Sequence, residues 1–584
     1  MSNYFLDNAD LVATFDRLVP WDRVAPLVAG GAGETADSVA AWREVLAVAG
    51  KYVGTEVAAR AALVDKLGVI ESGGRFEMSE PMLQNLKGLA ALGLAAPAVP
   101  QEYGGGGLPF TVNAFLFEMV SRACPATQVQ HAFYSAPAAL IYRYGSEEQR
   151  RHYLPRLARG EILGAVAMTE PQAGSDVGAI GTSATSEGDH WCLRGRKQFI
   201  SAGTGDFVIV LARSDRASRG TAGLGLFIAD RRIDGRENYI VERAEHKFTI
   251  RGSPTCALSF DATQAEMLGA PGQGWQMILT FMNESRLGVG IQGLGVAQSA
   301  YEDALAYATK RVQMGKPIRE HPLIAEMLLE METTIVGLRA LITEAAVLQD
   351  EVLFSRDAEV VRRASRDLRE ITPLVKWYGA EEVIRVCRQA LQIFGGYGVT
   401  TDYSVERHLR DSLILPIYEG TSQIQALMAV KDLMKVVLRR PASLVGAGPS
   451  ATLARASLTG AAGRDFAAAR GAFVGSLRRL VVGLVRRRGL GLLRGGRQLT
   501  DDDLAPFLLH AERITEALAH LHVARVLGEQ ARRVPERAVV ASRAARRARL
   551  VAERNARVIG AGDGGVFERI ATWHAEGAGP REEQ

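Results

Sequence analysis

The chain has 584 residues, 47% apolar and 23% charged, the balance of a protein with large buried cores and not of a disordered one. No apolar run approaches the ~20 residues of a membrane-spanning helix, and the start, Met1-Ser2-Asn3-Tyr4-Phe5-Leu6-Asp7, lacks the basic and apolar regions of a secretory signal. Cys124, Cys192, Cys256 and Cys387 lie too far apart for a zinc ribbon or a disulfide framework, so the expectation is a cytoplasmic protein with no metal centre.

Net charge is +4 but uneven. Residues 441–584 carry 23 Arg, no Lys and 14 acidic residues, a net of +9, which leaves −5 on the rest. Such asymmetry points either to an anionic partner or to a solvated helical face. The absence of Lys beside so much Ala and Arg also suggests a codon-composition bias.

Residues 36–160 repeat apolar positions at a spacing of 3–4, as in Ala40-Ala41-Trp42-Arg43-Glu44-Val45-Leu46, which predicts helices. The Gly- and Pro-rich stretch 97–109 breaks them as a loop. From 161 to 275 short apolar or alternating runs, such as Phe207–Leu211 and Leu224–Ile228, are separated by Gly, Asp and Ser, the pattern of a compact β domain. Long amphipathic stretches return over 276–440, as in Val296–Arg311 and Ile324–Leu348. A Gly/Pro/Ser-rich linker is expected around 441–449, followed by an Arg-rich helical extension over 441–584. There Leu477, Leu480, Val481, Leu484 and Val485 share one face and arginines the other. Because the strands are clustered and not alternated with helices, a doubly wound parallel sheet is excluded. The expected class is α+β and multidomain.

Four motifs invite a chemical reading. Gly288-Val289-Gly290-Ile291-Gln292-Gly293 is formally GxGxxG, but it has no preceding strand and runs into Leu294-Gly295-Val296-Ala297 without a turn. It reads as small residues that allow close helix packing. Met168-Thr169-Glu170-Pro171-Gln172-Ala173-Gly174-Ser175-Asp176 follows an apolar strand; Gly174 admits an anion to the backbone and Ser175 adds a hydroxyl, which makes either a diphosphate cradle or an ordinary strand-end turn. In Lys197-Gln198-Phe199-Ile200-Ser201, strand alternation puts Phe199 and Ser201 on one side, as a flat-cofactor contact or as a core Phe beside an edge Ser. Gln392-Ile393-Phe394-Gly395-Gly396-Tyr397-Gly398 is a Gly-rich break after a helix. Beyond it, Tyr418-Glu419-Gly420-Thr421-Ser422-Gln423-Ile424-Gln425 sets one acid after an apolar run; a carboxylate among apolar groups becomes a base near neutral pH, although a single Glu is usually surface.

Together these motifs resemble the acyl-CoA dehydrogenase family of FAD flavoproteins over roughly 400 residues, from about 36 to 440. The TEPxAGSD-type and YEGTSQIQ-type loops, roughly 250 residues apart, are specific in combination. Arg311-Val312-Gln313-Met314-Gly315-Lys316 resembles the family's R-x-x-F-G segment with Met for Phe, and Ile250-Arg251-Gly252-Ser253-Pro254-Thr255 resembles a stretch of its β domain. The resemblance implies an N-terminal α-helical domain with an N-terminal arm (1–160), a central β-barrel-like domain (161–275), a four-helix-bundle-type domain (276–440) and the extra extension. It also implies α,β-dehydrogenation of an acyl-CoA thioester to the 2-enoyl-CoA, with hydride passing to FAD and electrons to an electron-transferring flavoprotein, as in fatty-acid β-oxidation.

The same resemblance assigns roles by position. Glu419 matches the catalytic base, and Tyr418 and Gly420 would border the thioester. Some members carry the base immediately before the Arg corresponding to Arg286; Ser285 stands there, and Glu284 lies about 100° around the helix. Met168, Thr169, Gly174 and Ser175 match the flavin and diphosphate contacts, with Ser175 also facing substrate, and Phe199 and Ser201 match the usual Trp and Thr beside the ring. Arg311, Gln313 and His321, followed by Pro322 where many members have Gln, and Gln392, Gly395 and Gly396 match FAD contacts shared with a neighbouring subunit. That sharing implies a homodimer or homotetramer. Thr421 and Gln423 match residues near the diphosphate and adenosine. Asn283, replacing a more usual Asp, and Arg286 match the CoA-chain contacts, and Gln128, Ala132 and Phe133 the acyl pocket.

For the extension, packing as a further helical domain is favoured over a peripheral membrane contact through 474–495. The alternative function is a related flavoprotein whose basic C-terminal region binds DNA. The intact Tyr418-Glu419-Gly420-Thr421 loop and the scarcity of aromatic residues among the arginines weigh against a nucleic-acid partner.

Overall fold

The computed structural model describes residues 2–28, 35–215, 217–444, 448–456, 458–488 and 500–577. The chain divides into two compact units, Met1–Thr421 and Ser422–Gln584.

The first unit opens with helices, among them α1 (Thr35–Tyr52), α2 (Glu80–Ala91), α3 (Phe110–Ala123), α4 (Pro125–Tyr144) and α5 (Glu147–Ala158). Their boundaries are set locally. Pro125 starts α4 where its missing N–H costs nothing. Ser146 and Gln149 exchange side-chain and backbone hydrogen bonds at 3.1 Å, a capping box that opens α5.

The β region has strands β1 (Gly164–Ala167), β2 (Ser183–Glu187), β3 (His190–Ser201), β4 (Phe207–Arg213), β5 (Leu224–Asp230), β6 (Ile240–Ala244) and β7 (Thr255–Leu268). Their order is β6-β7-β3-β2-β4-β1, and β5 pairs with both β7 and β4. That double pairing closes β7-β3-β2-β4-β5 into a barrel and removes the exposed edges an open sheet would leave. β4 and β5 are buried along nearly their whole length, which explains their continuous apolar runs.

Three long helices follow: α6 (Gly274–Lys310), α7 (Pro322–Phe354) and α8 (Ala358–Phe394). The glycine pattern lies inside α6, with no turn. A Cβ on Gly290 would run into Val375 of α8, one on Gly293 into the Gly379 carbonyl, and one on Gly295 into the α3 backbone at Glu118 and Arg122. Those three glycines let α6 approach α8 and α3 closely.

The second unit begins with α9 (Ser422–Arg439), earlier than the linker expected at 441–449, of which 445–447 lie outside the described residues. It continues through α10 (Gly460–Arg488), α11 (Asp501–Leu509), α12 (Ala511–Gln530) and α13 (Ala538–Gly560). Leu477, Val481 and Leu484 are buried in this unit, where α10 packs on α13 and α12. The apolar face considered for a membrane surface is therefore covered, because the neighbouring helices offer it a dry partner; residues 489–495 of that segment lie outside the described residues. Many arginines bond within the same unit: Arg488 Nε donates to Asp503 at 2.6 Å, Arg549 pairs with Asp465 at 2.9 Å, and Arg554 pairs with Glu516. Among the described residues no helix is long and apolar enough to cross a membrane.

Candidate active site

Two regions of the first unit collect most of the predicted residues. The first is on the barrel. The loop after β1 folds back on itself, with Glu170 and Ala173 bonded backbone to backbone at 3.0 Å in both directions. The buried Glu170 carboxylate accepts from Gly181 N (2.6 Å), Thr182 N (3.0 Å) and Lys197 Nζ (2.8 Å), and Lys197 Nζ also donates to the Met168 carbonyl at 2.9 Å. Burial alone would raise the Glu170 carboxyl; Lys197 and the other donors hold it below its ordinary range. Gln198 N donates to the Thr169 carbonyl at 2.9 Å. Met168 and Thr169 are half-buried on this staple, and Gly174 and Ser175 are exposed beyond it. Sequence reasoning quoted Glu170 and Lys197 within their motifs but gave neither a role; two opposite charges, each beside an apolar strand, were the available signal.

Simple alternation fails at Phe199. Cys256 pairs with Ile200 and Leu258 with Lys197, so Gln198 and Phe199 together oppose Ala257 in a β-bulge. Phe199 takes φ +60°, and its ring is 61% exposed. Ser201 is half-buried two residues on. The bulge, and not strand periodicity, presents the ring, and a bulky residue in left-handed backbone is the kind of strain that marks functional sites.

The second region surrounds Glu419. Glu419 (φ +56°) and Gly420 (φ +85°) are consecutive left-handed residues, a turn that glycine adopts readily and glutamate does not. Ser285 Oγ, on α6, donates to Glu419 Oε2 at 2.6 Å. The two positions that the resemblance offers for the base thus face each other. Burial raises the Glu419 carboxyl above its ordinary range, opposed by the Ser285 hydrogen bond and the charges of Arg286 and Lys376. Arg286 is buried, donates through Nη1 to Asn283 Oδ1 at 3.0 Å, and leaves its Nε without a hydrogen-bond partner among the described residues. Lys376 of α8 is 0% exposed with no partner for Nζ among them, and burial pushes it down to about 8. Lys376 was missed: a lysine on an amphipathic helix reads as surface. The Tyr418 hydroxyl donates to Gln292 of α6.

Glu284 is engaged elsewhere. It pairs with Arg143 at 2.5 Å and accepts from Gln349 Nε2 at 2.9 Å. Glu419, Ser285 and Glu284 all line a cavity of about 480 Å³ between α3, α4, α6 and the C-terminal end of α7. Gln128, Ala132 and Phe133, the expected acyl-pocket residues, line it too. One wall is anchored by Asp350 of α7, which accepts from Phe110 N (2.6 Å) and Thr111 N (2.9 Å) at the start of α3; burial pushes this carboxyl up to about 7.

The remaining predicted residues do not line the cavity. Arg311 and Gln313 are exposed at the end of α6, on a hairpin turned by Met314 (φ +51°) and Gly315 (φ +79°), and His321 Nε2 bonds the Gln313 carbonyl at 3.1 Å. Gln392, Gly395 and Gly396 are exposed at the end of α8. Thr421 is half-buried. Gln423 falls in the second unit, where its amide donates to Glu512 of α12 at 2.9 Å.

Comparison with known proteins decides the family. Models of the N-terminal, middle and C-terminal domains of acyl-CoA dehydrogenases match residues 40–161, 165–263 and 272–434. The chain is 36% identical over 352 residues to the short-chain specific acyl-CoA dehydrogenase of Clostridium acetobutylicum, covering 59% of this chain and 88% of that one. The chain belongs to the acyl-CoA dehydrogenase family.

Among solved structures of acyl-CoA dehydrogenases, butyryl-CoA dehydrogenase from Megasphaera elsdenii is similar, with 28% identity, a TM-score of 0.60 and coverage of 67% of this chain and 98% of that one. An acyl-CoA dehydrogenase of Bacillus anthracis complexed with FAD, 22% identical, shares the fold over 98% of this chain and 96% of its own, with a TM-score of 0.74. That likeness of fold includes the extension. The acyl-CoA dehydrogenase family is FAD-dependent, and the residues present fit the cofactor. An exposed aromatic stands on the strained bulge at Phe199, and Gly395 and Gly396 have open space where a Cβ would stand.

Proposed function

We propose that this acyl-CoA dehydrogenase converts an acyl-CoA thioester to its 2-enoyl-CoA with Glu419 as the base. The observation that carries the reading is a half-buried carboxylate with a raised pKa, on a strained turn, at the wall of an apolar cavity. Bound FAD supplies the hydride acceptor. Glu419 takes the α-proton, which the thioester carbonyl acidifies. Ser285 orients the carboxylate, and the buried charges of Arg286 and Lys376 oppose the upward pull of burial by favouring its ionised form. The raised pKa makes it a stronger base than a solvated glutamate.

Met168, Thr169, Gly174, Ser175, Phe199 and Ser201 would hold the cofactor on the barrel side, with Thr421 near its diphosphate. Arg311, Gln313, His321, Gln392, Gly395 and Gly396 would reach it from a second subunit in a homodimer or homotetramer. Met314 (93% exposed), Leu323 and Val399 are apolar side chains that such an assembly would cover. Gln423, whose amide donates to Glu512, would likewise lie near the diphosphate and adenosine of the cofactor. Asn283, Arg286, Tyr418 and Gly420 would border the thioester and CoA chain. Electrons then leave to an electron-transferring flavoprotein. A cytoplasmic setting accords with four buried, unpaired cysteines. The domain bounds at 160, 275 and 440 belong to the same proposal.

The test is an anaerobic absorbance titration with a panel of acyl-CoA thioesters, beside Glu419→Gln. Bleaching of the flavin by a thioester in the wild type and not in the variant supports the reading. Equal bleaching in both removes Glu419 from the reaction, and no bleaching in either removes the dehydrogenase function.

A further inference from the structure

Gly288 is the one member of the α6 glycine pattern without a packing role. Gly290, Gly293 and Gly295 each stand where a Cβ would strike a neighbouring helix, yet a Cβ on Gly288 meets no atom within 4 Å. Its backbone is ordinary helix, so no left-handed conformation requires glycine. Glycine is a poor choice in a helix interior, where it costs conformational entropy and adds no contact. The residue nevertheless lines the 480 Å³ cavity, between Ser285 one turn before it and Gln292 one turn after.

We propose that Gly288 is a specificity-determining residue, whose missing side chain leaves the cavity room for an uncharged acyl group longer or bulkier than a four-carbon chain. The inference rests on Glu419 being the base at the thioester. No residue of the β region 161–275 lines the cavity, so the space leads from Glu419 away from the barrel. Its volume lies within the roughly 300–1,000 Å³ of sites that enclose drug-sized ligands, several times what four carbons fill. Phe110, Phe117, Phe133, Phe281 and Phe354 give it an aromatic, apolar wall, and an under-filled apolar space forfeits dispersion contacts on its lining. The charged pair in the wall, Glu284 and Arg143, is mutually compensated, so it offers no net charge to an ionised acyl terminus. The occupant the cavity fits is a hydrocarbon chain of medium or greater length, or one that ends in a ring.

The experiment compares the FAD-loaded wild type with Gly288→Ala and Gly288→Leu. Two series are read: kcat/KM for straight-chain acyl-CoAs from four to sixteen carbons plus 3-phenylpropanoyl-CoA, and Kd for the matching enoyl-CoA products by calorimetry. The wild type should prefer the longer or ring-bearing thioesters to butyryl-CoA. Gly288→Leu should lower kcat/KM and weaken Kd for these by about fourfold per excluded methylene. Butyryl-CoA should stay within about twofold, and Gly288→Ala should fall between, with a Tm at or above that of the wild type. A wild type that prefers butyryl-CoA, or a Gly288→Leu effect equal for all chain lengths, overturns the proposal. If no thioester is turned over, it is the proposed dehydrogenase function that falls, and the Kd series still decides Gly288. Chain-selective weakening supports it and uniform affinity refutes it.

Discussion

Two buried lysines, one in the barrel and one in the long-helix region, stand in opposite states. Lys197 is 1% exposed and fully served, with its ammonium on Glu170 and on the Met168 carbonyl. Lys376 is equally buried, feels the charges of Glu381 and then Glu419, and has no hydrogen-bond partner among the described residues. A satisfied buried network fixes geometry, and here it fixes the loop and strand that carry Met168, Thr169 and Phe199. An unsatisfied buried cation raises the energy of the fold and persists where the chemistry needs a field, beside a carboxylate that must stay charged. The first lysine is scaffold and the second sets an electrostatic potential. Mutation should separate them.

The largest effect should come from the carboxylate itself. Glu419→Gln removes the base and should lower kcat by about 10³-fold, the middle of the range for general-base catalysis. Glutamine mimics the protonated form that burial favours. Because the folded pKa is raised, the stabilising contribution is present at acid pH and lost as pH rises through that pKa. The variant should therefore melt higher than the wild type above neutrality and no higher at acid pH, read by Tm against pH.

Breaking the satisfied pair should come next. Glu170→Gln strands Lys197 and should cost about 3–5 kcal/mol of stability, with loss of bound FAD as the loop detaches from β3; denaturant unfolding and flavin content measure both. The double variant Glu170→Gln/Lys197→Met should recover much of the loss, since no buried charge is left alone.

The opposite sign is expected at the other lysine. Lys376→Met should raise Tm at pH 7, because it deletes an unpaired buried cation. The folded pKa of Lys376 is depressed to about 8, so the wild type regains stability as pH rises, and the gap should narrow between about pH 8 and 10. The same change removes a charge that lowers the Glu419 pKa, so the acid limb of the kcat/KM profile should move to higher pH. A stability loss like that of Glu170→Gln would break the comparison.

The smallest effect belongs to Ser285→Ala. It deletes the 2.6 Å hydrogen bond that favours ionised Glu419 and should shift the same acid limb upward by less than one pH unit, with a kcat loss below about tenfold at high pH.

Much of the fold was legible because its signals are local. Helix periodicity, the clustered strands, the capping box at Ser146 and the two specific loops each fall within a short window of chain, where side-chain spacing and backbone propensity act. The same window excluded a dinucleotide turn at Gly288–Gly293, since no strand precedes it. What local pattern missed was partnership. Strand alternation gave no sign of the bulge opposite Ala257, created by how β3 registers on β7, which leaves Lys197 buried and Phe199 exposed two residues apart. For Leu477–Val485 the helical face left both packing and a membrane surface open, with packing favoured, and α10 buries Leu477, Val481 and Leu484 against its neighbours.

The amino-acid order alone thus determined the element types, their succession and the residues able to do the chemistry. Tertiary structure decided which of those residues act together. Ser285 and Glu419 lie 134 positions apart and meet only because the glycines of α6 bring that helix against α8 and the turn at Glu419 is strained toward it. Desolvation, which makes Glu419 basic and leaves Lys376 unpartnered, is a property of the packed interior and has no local signature in the chain.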